Sequence, residues 1–167
     1  MVSVGTAPSD PTTMSAASPE NIAAHLSAMA AERPQTLAIV QPRGRDRLGR
    51  FRYRHFTFRE LDRESDHIAA GLEQVGVGRG VRTVLMVPPS LEMYALTFAL
   101  FKAGAVVVAV DPGMGVQNLG VCLREAAPEA FIGVPEAHLA RTVFRWARAT
   151  IRCLSLIHIS EPTRQAE

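Results

Sequence analysis

A stretch of twenty residues, Leu91–Val110, restricts the possible folds more than any other part of the chain. It is almost wholly apolar, and its length matches a membrane-spanning helix. Glu92, Lys102 and Gly104 interrupt it, and its character changes at the glycine. Leu91–Ala103 suits a helix that Ser90 can cap, whereas Ala105–Val110 is an unbroken valine-rich run of the kind that forms a strand buried on both faces. A buried helix feeding a buried strand implies a parallel sheet covered by helices, because only such a sheet hides both faces of its strands. A transmembrane segment is not the reading this pattern supports.

The flanking segments repeat the unit. Thr57-Phe58-Arg59-Glu60 is a capping box, in which hydroxyl and carboxylate each accept from a backbone amide of the other residue. Leu61, Ser65, Ile68, Ala69, Leu72 and Val75 then mark one face of a helix of about five turns. Gly76 and Gly78 end that helix, and Thr83–Val87 reads as a strand. Downstream, Asp111-Pro112-Gly113-Met114-Gly115 stops the valine run. Leu119–Ala126 reads as a helix, Ala130–Gly133 as a short strand and Glu136–Ala149 as a last helix. Upstream, Ser18-Pro19-Glu20 resembles a helix start, with Ile22, His25, Leu26 and Met29 at helical spacing up to Pro34. Leu37–Val40, a turn over Pro42–Gly49 and the alternation of Phe51, Tyr53 and His55 with arginines predict a hairpin. The expected fold is α/β: a mostly parallel open sheet with helices on both faces plus an N-terminal β-hairpin, with any ligand site at the carboxyl ends of the later strands.

Several function classes find no support. The 167 residues are 47% hydrophobic and 20% charged with a net charge of +2, the composition of an ordinary globular domain with no demand for a nucleic-acid partner. Cys122 and Cys153 lie far apart with no metal-ligand spacing, so neither a disulfide framework nor a zinc site is implied. Residues 1–17, rich in Ser, Thr, Pro and Ala, lack the basic start and apolar run of a secretory signal and read as a disordered tail. The expected compartment is the cytoplasm.

The five histidines, His25, His55, His67, His138 and His158, form no metal-binding motif. Glu60 with Glu64 and Asp62 with Asp66 stand four apart on a helix, where Arg59 and Arg63 among them suggest a solvated face. No GxSxG elbow occurs. Gly76-Val77-Gly78-Arg79-Gly80 follows a helix and precedes a strand, the reverse of the order a phosphate-cradling loop needs, since only a helix start offers unpaired amides. That removes the dinucleotide-dependent oxidoreductase reading. The arginine-rich hairpin, Arg43 to Arg59 with Phe51, Tyr53 and Phe56 between, defines the non-enzymatic alternative: an α/β binding module for an anionic partner.

The segment Leu154–Arg164, LSLIHISEPTR, resembles the in-frame translation of a transposon-derived sequencing adapter, codon for codon. The expected organisation is therefore a tail over 1–17, a truncated domain over 18–153 and a non-native, adapter-derived tail over 154–167.

Thr57-Phe-Arg-Glu-Leu, the Gly76–Val87 turn and strand, and Leu91–Pro112 with its Lys102-Ala-Gly-Ala core together resemble the N-terminal region of the adenylate-forming enzymes. This superfamily includes acyl-CoA synthetases, luciferases and peptide-synthetase adenylation domains. Val110-Asp-Pro-Gly-Met-Gly, Pro128–Pro135, Ala137-His-Leu-Ala-Arg and Trp146 are similar to the fatty-acid ligase branch that includes the β-lactone synthetases of bacterial olefin biosynthesis. Gly80-Val81-Arg82 stands where many members have Gly-Asp.

The resemblance implies an AMP-forming ligase using ATP and Mg²⁺, and possibly coenzyme A, to activate a fatty or β-hydroxy fatty acid. The Ser/Thr/Gly-rich phosphate loop with Pro-Lys and the lysine of the C-terminal domain do not occur here, and Lys102, the sole lysine, sits at the end of a buried helix. No catalytic, cofactor-binding or metal-binding residue is therefore assigned. The fragment is expected to be inactive, to hold no cofactor and to expose apolar surface.

Overall fold

The structure is a computed structural model of the chain and describes residues 21–156. The expected tail over 1–17 and the Ser18-Pro19-Glu20 helix start lie outside those residues. Helix α1 spans Ala23–Glu32, and the Asn21 side chain accepts from the Ala23 amide at 3.0 Å. Strands β1 (Leu37–Arg45) and β2 (Phe51–Thr57) form an antiparallel hairpin. Strand β1 thus runs three residues past the expected turn start at Pro42, with a bulge between Pro42 and Arg45, and the turn itself is built on Asp46, whose carboxylate accepts from the Leu48 and Arg50 amides.

Helix α2 (Phe58–Gln74) begins at the expected capping box. The Glu60 amide donates to the Thr57 hydroxyl at 3.3 Å, and the Thr57 amide donates to the Glu60 carboxylate at 2.8 Å. The Thr57 amide, followed by the Thr57 hydroxyl, holds the Glu60 carboxyl below its ordinary pKa. This contribution to stability is complete above the unfolded pKa and is lost as pH falls through the folded one. Thr57→Ala is expected to cost about 1 kcal/mol, read as a lower urea midpoint with an unchanged slope.

Four strands, β3 (Arg82–Met86), β4 (Val106–Ala109), β5 (Ala130–Gly133) and β6 (Cys153–Leu156), form one parallel sheet in the order β4-β3-β5-β6. Helices α2 and α3 (Leu91–Lys102) cover one face, where Leu72, Leu96, Ala99 and Leu100 pack on Ala130 and Ile132. Helices α4 (Val116–Ala126) and α5 (Pro135–Phe144) cover the other, where Leu119, Leu123 and Ala137 surround Val84 and Phe131.

The helical half of the apolar stretch forms as its pattern predicts, but its strand half is not buried on both faces: β4 lies at the edge of the sheet with β3 on one side, and Val106 is 49% exposed. Ser90 caps α3 by accepting from the Met93 amide at 3.1 Å, and Gly104 ends the turn at φ +72°. Helix α3 is apolar on several faces because it packs against the sheet on one side and against α2 and the hairpin on the other, while Met93, Thr97 and Phe101 line an open cleft. Its Leu91 and Leu100 are fully buried, each contributing about 1.5–3 kcal/mol. No helix among the described residues is long and apolar enough to cross a membrane.

Two further elements depart from expectation. Helix α5 stops at Phe144, five residues before the expected Ala149, because Arg145 and Ala147 take left-handed backbone (φ +53° and +44°) and turn Trp146 into the core. Trp146 is 6% exposed and lies against Gly120, where an added Cβ would meet the indole at 3.4 Å. Burying an indole outweighs continuing the helix. Leu154–Leu156, the first three residues of the expected non-native tail, pair with Phe131–Gly133 in β6, while 157–167 lie outside the described residues.

Candidate functional site

In a parallel sheet, ligands bind outside the carboxyl ends of the strands, at the point where successive connections leave in opposite directions. Here β3 connects through α3 on one face to β4, whereas β5 connects through α5 on the other face to β6. The switch point lies between β3 and β5, and a cleft of 1280 Å³ opens there. Its walls are the strand ends Leu85–Val87 and Ala109–Asp111, the face of α3 that carries Met93, Thr97 and Phe101, the first turn of α4, and Val134–Ala137 leading into α5.

The cleft is apolar. Besides the Trp146 indole, its polar side chains are those of Thr97, Asp111 and Glu136. The Thr97 hydroxyl already donates to the Met93 carbonyl at 2.8 Å, and Asp111 accepts from the Gly113 amide at 2.8 Å. Such a cleft can take up an alkyl chain; the wall provides no nucleophile, no paired acid and base, and no cation for a phosphate.

The implied ATP, Mg²⁺ and coenzyme A do not fit the described residues. The glycine turn Gly76–Gly80 sits at the amino end of β3, and the Gly80 amide donates to the Gly104 carbonyl at 2.9 Å, so both glycine turns face away from the cleft. Among the described residues no three His, Cys, Asp or Glu side chains cluster as metal ligands.

Several of the side chains weighed in the sequence have structural partners. Lys102 donates to Asp62 at 2.7 Å and to Asp66 at 2.6 Å, and also to the Asp62 carbonyl at 2.9 Å, tying α3 to α2. The expected solvated acidic face is therefore only half solvated, a contact that sequence reasoning missed because the partners lie on different helices. Glu60 serves the capping box. A ring nitrogen of His138 lies 2.9 Å from the Ser155 carbonyl, and its ring stands edge-on to Phe131 at 5.1 Å. His25, His55 and His67 are exposed, and His158 lies outside the described residues. Arg54 of the hairpin pairs with Glu92 at 2.8 Å. Burial pushes the Glu92 carboxyl up, but its own amide, Arg54 and Ser90 outweigh this and hold it below the ordinary value.

A parallel sheet with helices on both faces and an apolar cleft at its switch point is the architecture of an open α/β domain. The chain belongs to the AMP-binding enzyme family, whose model matches residues 26–165. It is 52% identical over 141 residues to an olefin beta-lactone synthetase of Stenotrophomonas maltophilia (strain K279a), covering 83% of this chain and 25% of that protein. Identity to the olefin beta-lactone synthetase of Xanthomonas campestris pv. campestris is 52% over 137 residues, covering 81% of this chain and 25% of that one. The chain spans about a quarter of the length of these curated relatives.

Among solved structures, the fold resembles the N-terminal domain of FACL13 from Mycobacterium tuberculosis, with a TM-score of 0.68 at 18% identity over 87% of this chain and 38% of that one. It also resembles the A-PCP didomain of carboxylic acid reductase from Segniliparus rugosus, with a TM-score of 0.70 at 19% identity over 89% of this chain and 22% of that one. The expected fold class and family are thus borne out, and the stand-alone binding module is not favoured.

Proposed function

We propose that this chain is the N-terminal portion of an ATP-dependent, AMP-forming ligase that activates a fatty or β-hydroxy fatty acid. In that reaction the substrate carboxylate attacks the α-phosphate of ATP, forming an acyl-adenylate and releasing pyrophosphate. The acyl–phosphate bond of the adenylate is then broken with AMP leaving, either by transfer of the acyl group to a thiol or by attack of the β-hydroxyl on the acyl carbon, which closes a β-lactone. The observation that carries the reading is the 52% identity to olefin beta-lactone synthetases over 141 residues. The apolar cleft agrees with it, since its lining suits an alkyl chain.

Within this reading the described residues build a wall of the acyl site and position the sheet. Groups that hold ATP, Mg²⁺ and coenzyme A belong to the remaining part of the parent enzyme, which is cytoplasmic and uses no nucleic acid. Residues 154–167 are a translated adapter, and Leu154–Leu156 fill a slot in the sheet that any short extended apolar segment after Arg152 could occupy.

The 167-residue chain is expected to release no pyrophosphate above the enzyme-free control when given ATP, Mg²⁺ and fatty acids. A chain extended to the relatives' length is expected to release it. Turnover by the short chain would overturn the inactivity, and silence of the extended chain with every acid tried would overturn the ligase reading. Reading source DNA through codons 149–154 and beyond tests the tail: continuation into a Gly-rich Ser/Thr loop with Pro-Lys supports it, and a stop after Glu167 in clean genomic sequence refutes it.

A further inference from the structure

The hairpin β1–β2 lies apart from the cleft and has no part in the acyl-site reading. Residues paired across two strands share a face. Val40 with His55, Pro42 with Tyr53 and Arg45 with Phe51 are such pairs, and all six are exposed. Ile39, Gln41, Arg54 and Phe56, on the opposite face, are half-buried toward the helices. The outward face is therefore an apolar stripe that no element among the described residues covers, and the turn adds Leu48, 76% exposed.

Charge is concentrated at the same place. Between Arg43 and Arg54 stand six arginines and one carboxylate, Asp46, a net +5 in a chain whose total is +2, so the remainder is net −3. Asp46 is engaged in the turn and Arg54 with Glu92, while the Arg45 guanidinium lies 3.9 Å over the Phe51 ring. Arg43, Arg47 and Arg52 are exposed and enter no ion pair among the described residues.

We propose that the outer face and tip of this hairpin dock on an anionic lipid bilayer. Leu48, Phe51 and Tyr53 enter the boundary between headgroups and acyl chains, and Arg43, Arg47 and Arg52 contact lipid phosphates. The apolar tip selects a bilayer over a polynucleotide: a leucine neither stacks on a base nor binds a phosphate, whereas apolar side chains ringed by cations match the headgroup boundary. The docking does not rest on the ligase chemistry, and a chain that adenylates nothing would still bind.

The test is co-sedimentation of the 167-residue chain with phosphatidylcholine vesicles, with and without phosphatidylglycerol. Binding is expected to the anionic vesicles and to weaken with salt. The triple variant Arg43→Gln/Arg47→Gln/Arg52→Gln is expected to lower partitioning roughly a hundred-fold, and Leu48→Asp roughly tenfold. All four side chains are exposed, so circular dichroism should not change. Equal binding to neutral vesicles, or partitioning indifferent to both variants, would overturn the proposal. So would an oligonucleotide bound more tightly than the vesicles, or a dimer that Leu48→Asp dissolves in a chain without vesicle affinity.

Discussion

Phe131→Ala is expected to remove about 3–5 kcal/mol of folding stability, a large part of the 5–15 kcal/mol that holds a typical domain together. The Phe131 ring is completely buried at the centre of the sheet among Val84, Leu119, Leu123, Ala137 and Trp146. His138 stands edge-on to it, and the Arg141 guanidinium lies 5.9 Å from its centroid. Gly133, two residues along the strand, has no room for a Cβ, which would come within 2.9 Å of the Phe131 ring. Neighbours set this closely on a rigid strand cannot collapse into the void, so the cavity term adds to the transfer term. A urea titration of the far-ultraviolet signal reads the loss as a lower midpoint. Phe131→Leu keeps most of the volume and is expected to cost less than half as much. A loss below about 1 kcal/mol for the alanine variant would contradict the central placement of β5.

The second large effect is expected at Lys102→Met, about 2 kcal/mol. The ammonium group is enclosed, with the side chain 13% exposed, and donates to both Asp62 and Asp66. Removing it leaves the Asp62 carboxylate, 21% exposed, without its cation, which costs more than the pair's net contribution. The 59% exposure of Asp66 gives water access to the cluster and keeps the loss below that of a fully buried pair. Asp66→Asn, at the wet end, is accordingly expected to cost less than 1 kcal/mol. A double-mutant cycle of Lys102→Met with Asp62→Asn isolates the pairwise part, and a coupling near zero would show that the methylene stem of Lys102, rather than its charge, holds α3 against α2.

Much of the fold was legible because local signals and burial agree. The Thr57–Glu60 box, the Ser90 cap, the glycine at 104 and the change of period between Leu91–Ala103 and Ala105–Val110 each depend on neighbours within a few residues. Each therefore stands in the structure where the chain places it. Helix α5 was misjudged for the opposite reason. Its apolar spacing continues past Phe144, but the burial site of Trp146 is created by Gly120 on α4, more than twenty residues earlier.

The candidate site divides in the same way. The alternation of strands with helices points to the carboxyl ends of the strands, and the reversed order of the Gly76–Gly80 turn points away from a glycine loop. That an apolar cleft of 1280 Å³ opens there depends on β5 passing to the far side of β3, a choice of strand neighbour that no local pattern encodes. The Lys102–Asp62–Asp66 cluster likewise joins residues forty and thirty-six positions apart. By itself the sequence determined element types and the ends that a local cap or glycine fixes, since propensity, capping and periodicity act over one or two helical turns. Only the tertiary structure decided which buried faces meet, because contacts between distant segments are selected by the packing of the whole chain.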